Sequence, residues 1–96
     1  MTPNELLAAK REEILRIAAK HGARNVRVFG SVVRGEADEA SDIDLLVEFE
    51  AGRSLLDQTK LMLDLEELLG GRVDVVTEGS LSRLLRRKIL KEARPL

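Results

Sequence analysis

Apolar and polar positions alternate along this chain with two periods, and the switches between them mark out its elements. Leu7, Ile14, Ile17 and Ala18, widened by Leu6 and Leu15, recur at helical spacing and predict one amphipathic helix. Thr2-Pro3-Asn4-Glu5 opens it, with Thr as N-cap, Pro at the first helical position and Glu three after the cap. Gly22 stops it near Lys20 or His21. Asn25 to Phe29 reads as a short strand, Gly30-Ser31 as a turn, and Val32 to Arg34 as a single helical turn. Gly35 to Ser41 is a polar, acidic loop. Ile43 to Phe49 is the longest strand, and its I-D-L-L-V run predicts burial on both faces except at Asp44. A second long helix covers Leu55 to Leu69, with Leu55, Leu61, Leu65, Leu68 and Leu69 assigned to its stripe, and closes at Gly70-Gly71. Val73 to Val76 is a third strand. Ser80 is placed to cap a last helix reaching Ala93, with Leu81, Leu84, Leu85 and Ile89 facing inward and Pro95 as its stop.

The order αβαβαβα describes an α/β (α+β) fold, a small mixed three-stranded sheet flanked by helices, with residues 1–96 as a single domain. Suppose Gly30-Ser31, ending the first strand, and Asp42 with Asp44, opening the second, serve one site. Those two strands are then antiparallel, and the second and third, joined by a helix, are parallel with a right-handed crossover.

Composition narrows the function. The 96 residues are 44% hydrophobic, enough for one core. No cysteine is present, so disulfides and thiolate ligands are excluded. There is no signal-like N-terminal stretch and no apolar run of about 18 residues, which leads us to expect a soluble cytoplasmic protein and no membrane partner. Phe29 and Phe49 are the only aromatics, too few for base stacking. The net charge of -1 conceals an asymmetry: Glu36 to Glu50 carries seven acids and no base, and Arg83 to Arg94 six bases and one acid. A uniformly basic nucleic-acid binder is disfavoured; an acidic, cation-recruiting site beside a separate basic surface fits.

Asp42 and Asp44 project to the same side of their strand, where two carboxylates repel unless a cation lies between them. The pair is either a divalent-metal site or a solvated strand entrance. Asp74, inside V-D-V-V, tips the choice, because a charge among strand apolars is costly unless paired, metal-bound or at the sheet rim. A parallel pairing brings it to the same sheet end, and three carboxylates suit Mg²⁺. Gly30 lets a backbone approach an anion closely, and Ser31 adds a hydroxyl and an N–H, as phosphate cradles do.

These residues resemble a family. Gly30-Ser31, ten residues, then Asp42-x-Asp44, with Arg34-Gly35 and Ser41 between, are similar to the signature of the minimal nucleotidyltransferases of the DNA polymerase β superfamily. Arg72-Val73-Asp74-Val75-Val76 and the ending Lys88-Ile89-Leu90-Lys91-Glu92-Ala93 extend the similarity over nearly the whole chain. The resemblance implies the nucleotidyltransferase fold and transfer of AMP from ATP to an acceptor hydroxyl, with two Mg²⁺ ions and release of pyrophosphate. It implies that Gly30 and Ser31, with Arg34, bind the nucleotide, that Asp42 and Asp44 hold metal, and that Asp74 joins the metal site and orients or deprotonates the acceptor. It also implies a cognate HEPN-domain ribonuclease toxin as partner, modified on a tyrosine, so that the chain acts as an antitoxin. Val32-Val33 departs from the family, which often has a polar or small residue after the serine.

Blander readings stand beside these. Arg34 serves equally as a salt bridge to the acidic loop. Glu36, Asp38 and Glu39 read as a solvated loop, Asp57, Asp64, Glu66 and Glu67 as the wet face of a helix, and His21 as a residue near a helix C-terminus. The basic run Arg83, Arg86, Arg87, Lys88 and Lys91 is a solvated face, a phosphate-steering surface or a dock for an acidic partner, with nucleic acid the poorer fit. Two other function classes remain: a non-catalytic antitoxin that occludes its partner, and a stand-alone small-molecule nucleotidyltransferase, for which a homodimer would complete the pocket.

Overall fold

The structure is a computed structural model that describes residues 1–38 and 40–96; Glu39, read above as part of a wet loop, lies outside the described residues. The first helical stretch is two helices, α1 (Pro3–Ala9) and α2 (Arg11–Lys20). The expected Thr2 capping box opens α1, with the Glu5 N–H donating to the Thr2 hydroxyl at 3.2 Å and the Thr2 N–H to Glu5 at 3.2 Å. Lys10, with ψ at 9°, takes one residue out of the helical path, which the periodicity could not reveal because no Gly or Pro marks it. The stripe carries on across the break, and Leu7, Ile14 and Ala18 are all buried.

Strand β1 (Ala23–Phe29) begins two residues before the expected start at Asn25. Its register with β2 (Ile43–Phe49) shifts between Arg24 and Arg27, where Asn25 takes a positive φ of 50°. This bulge inserts an extra residue, so Ala23, Val26 and Val28 reach the same core although their spacing is not a strict alternation. The one-turn helix α3 (Ser31–Arg34) follows. Helix α4 (Leu55–Leu69) connects β2 to β3 (Val73–Val76) and buries Leu61, Leu65 and Leu69. It also holds the edge strand by its polar groups: Gln58 donates to the Val75 carbonyl at 2.8 Å, and Glu66 accepts from the Val73 N–H at 3.1 Å.

The sheet has four strands in the order β3-β2-β1-β4, one more than expected. The addition, β4 (Arg94–Pro95), is a two-residue strand that pairs antiparallel with Arg27 and Val28, too short to leave a periodic trace in the sequence. The inferred pairings hold: β1 and β2 are antiparallel, β2 and β3 parallel. A turn of 3-10 helix at Glu78–Ser80 precedes α5 (Arg83–Glu92), whose cap is Ser82 rather than Ser80.

Three apolar assignments fail. Leu55 is 75% exposed; it lies six residues before Leu61 and so about 120° around the helix from the buried stripe. Leu84 is 81% exposed and Leu85 is exposed too, leaving Ile89 as the buried anchor of α5. The wet face of α4 is also busier than expected. Asp57 completes a capping box with Ser54, and Asp64 accepts from or pairs with His21 Nε2 at 2.6 Å, joining α4 to the end of α2. His21 is thereby buried, and its imidazole holds the Asp64 carboxyl below the usual carboxylate range.

Candidate active site

Three backbone decisions bring the site together. The bulge at Asn25 sets the register that puts Phe29 opposite Asp44, so the residue after the strand, Gly30, turns directly beside that carboxylate. Gly30 has φ 80°, a conformation that favours glycine, and a Cβ built on it would stand 2.2 Å from Asp44 Oδ2. The parallel register then pairs Asp44 with Asp74 across β2 and β3. Asp42, one residue ahead of β2, lies on the same side by alternation. Its nearest cation is Arg72 at 3.9 Å, an exposed pair of little energetic weight.

The electrostatics follow from that crowding. Burial first, then the charge of Asp74, its side-chain contact and the charge of Asp42, push the Asp44 carboxyl up to about 6; Arg34 pulls weakly the other way. A carboxyl whose proton affinity is raised by burial and by two neighbouring carboxylates marks a site short of positive charge, and an all-oxygen donor set of this kind suits a hard divalent cation. Among the described residues no three acidic or histidine side chains are already closed around a single point as a preformed metal cage.

The anion side is arranged differently from the expectation. Ser31 opens α3, half-buried, and its hydroxyl has no hydrogen-bond partner among the described residues. Arg34 is engaged twice, by Glu36 of the acidic loop at 3.1 Å and by Glu92 of α5 at 2.9 Å. Glu92 also accepts from the Gly30 N–H. Phe29, Gly30 and Arg34 on one side and Leu85, Lys88, Ile89 and Glu92 of α5 on the other line a cavity of about 210 Å³. A wider hollow of about 550 Å³ lies between α1, α3 and β4 and contains none of the three aspartates.

Sequence reasoning therefore brought Gly30, Asp44 and Asp74 to one place and missed Glu92 as a neighbour of the turn. A signal was present. Glu92 is the single acid among six bases in Arg83 to Arg94, in the last turn of a helix, where the dipole disfavours negative charge.

The nucleotidyltransferase domain family matches residues 11–96. The chain belongs to this family. It is 45% identical over 87 residues to the protein adenylyltransferase MntA of Thermococcus cleftensis, covering 91% of this chain and 85% of that protein. A solved structure assigned by name to the minimal nucleotidyltransferases is 60% identical, with a TM-score of 0.86 over 96% of this chain and 94% of its own. A toxin–antitoxin complex determined with AMP-PNP superposes with a TM-score of 0.75 at 22% identity, over 88% of this chain and 69% of that one, which speaks for the shared fold. The chain is thus a nucleotidyltransferase of the minimal type.

Proposed function

We infer that this nucleotidyltransferase moves AMP from ATP, with Mg²⁺, to a hydroxyl on a partner protein. The family resemblance points to a tyrosine of a HEPN-domain toxin, which makes the chain an antitoxin working in the cytoplasm. The observation that carries the reading is the Gly30 turn packed on Asp44 with Asp74 in register beside it. The adenylyltransferase named among its relatives and the toxin–antitoxin complex sharing its fold support the same direction.

Asp42, Asp44 and Asp74 would hold Mg²⁺, which supplies charge neutralisation at the triphosphate. At neutral pH Asp44, with its proton affinity centred at about 6, is largely ionised and available for that role. Ser31 offers a hydroxyl and an N–H to phosphate oxygens. Asp74, the exposed member of the trio, would orient the acceptor hydroxyl and take its proton, and its exposure supports that role. The acceptor oxygen then bonds to the α-phosphorus as the bond to pyrophosphate breaks.

Exposed Leu84, Leu85 and Leu90 on α5 favour a docked partner under either a catalytic or an occluding antitoxin, so the variant series must separate the two. Incubating the protein with ATP, Mg²⁺ and the toxin encoded beside it is expected to raise the intact toxin mass by one or more AMP units. Asp42→Asn/Asp44→Asn protein is expected to leave it unchanged. Equal toxin modification by the double variant, or none by the wild type, would sink the catalytic reading. Full neutralisation by the double variant would establish occlusion.

A further inference from the structure

Glu92 is the residue the nucleotide reading does not absorb. Its carboxylate is 18% exposed and ends α5, where the helix dipole works against it. What offsets that cost is visible: it accepts from the Gly30 N–H and takes Arg34 Nη1 on both oxygens, at 2.9 and 3.1 Å. These bonds cross from the C-terminal helix to the turn that lies against Asp44. They also hold an arginine whose charge is felt at Asp44. Without Glu92, Arg34 retains Glu36 and the nearby site carboxylates as partners, and a guanidinium among those carboxylates competes directly with a cation.

We propose that Glu92 is a positioning residue of the nucleotide site, holding the Gly30 turn and Arg34 so that the triphosphate meets Ser31 rather than the Gly30 N–H. The inference rests on the proposed function and divides its donors. Gly30 N–H and the Nη1 edge of Arg34 belong to Glu92, while Ser31, whose hydroxyl has no partner among the described residues, belongs to the ligand. The opposite assignment, in which Glu92 is a stand-in for phosphate that ATP expels, predicts the reverse response to its removal.

The test uses the full chain with Mg²⁺ and α,β-methylene-ATP, which cannot release pyrophosphate, and AMP as a control lacking the β and γ phosphates. Binding is measured by calorimetry for wild type, Glu92→Gln, Glu92→Ala and Asp44→Asn, with the thermal midpoint of each. Glu92→Ala is expected to weaken the triphosphate analogue about tenfold and AMP far less. Glu92→Gln, whose amide oxygen can still accept from Gly30, is expected to recover most of that loss. A purely structural role would lower the midpoint while leaving the ratio of the two affinities unmoved, and a displaced stand-in would make Glu92→Ala bind the analogue more tightly; either result overturns the proposal. If Glu92→Ala does not fold, the amide spectrum of the wild type decides. The Gly30 signal should persist in the complex while that of Ser31 shifts, and a Gly30 signal displaced by the analogue overturns the proposal. Absence of any binding by the wild type would overturn the proposed function itself, whereas wild-type binding with insensitivity to Glu92→Ala overturns this inference alone.

Discussion

A methyl group at position 30 has nowhere to go. It would need a backbone conformation that L side chains rarely adopt, and it would stand 2.2 Å from an oxygen of Asp44, a side chain fixed within a central strand. Gly22 offers a control, because a Cβ there also meets an atom at 2.2 Å, but that atom is Nε of Arg53, at the end of a flexible side chain. Gly30→Ala is expected to cut AMP transfer about 100-fold through misplacement of Asp44, whereas Gly22→Ala should leave activity within a few-fold and cost stability alone. A transfer assay beside urea titrations of both variants checks the contrast. Asp44 itself carries a pH signature. Its carboxyl is raised from 3.8 to about 6 in the folded protein, so folding is opposed by its ionisation, and the penalty grows as pH rises from about 4 through 6 and is complete above. Asp44→Asn is therefore expected to have the higher thermal midpoint at pH 8, with the advantage shrinking as pH falls toward 4; an advantage that grows on acidification would contradict the assignment. The crowding of Asp44 by Asp74 could be read in the sequence because a parallel pairing forces it. The link from Glu92 left only an indirect trace, one acid among six bases, because it joins residues 62 apart through a helix whose face only the tertiary packing decides.

At the scale of elements, period and geometry decide which apolar residues count. Leu61 and Leu65 are fully buried on α4, spaced four apart on the stripe, while Leu55, at the first helical position, falls off it. Leu61→Ala is expected to destabilise by about 2–5 kcal/mol and Leu55→Ala by no more than about 0.5 kcal/mol, measured by urea unfolding. The helix caps at Thr2 and Ser54 follow from local chemistry, a hydroxyl or carboxylate within three residues of an orphan N–H, but only the first was recognised in the sequence. The interruption at Lys10 and the bulge at Asn25 were not legible. Neither carries a Gly or Pro, and each is imposed by what the flanking residues bury.

For the whole molecule, the charge asymmetry along the sequence becomes an asymmetry in space. The acidic stretch ends in the carboxylates of β2, and the basic helix α5 lies across the Gly30 turn from them, presenting Lys88 to the cavity between. The fold class and the strand directions followed from the position of the site residues, which had to share one sheet end. The fourth strand did not, because Arg94-Pro95 derives its extended shape from the open flank of β1 rather than from any pattern of its own.

That short strand also bears on how the protein behaves in a crowd. Without it, β1 would present a row of unpaired donors and acceptors at the sheet margin, a template onto which another chain could polymerise. Arg94 and Pro95 cover only Val28 and Arg27, but proline has no N–H to offer outward, and the next residue, Leu96, gives its own N–H back to the Val26 carbonyl at 3.0 Å. Pairing by Arg94 and Pro95 and the bond from Leu96 thus leave fewer open donors and acceptors along that side for another chain to extend.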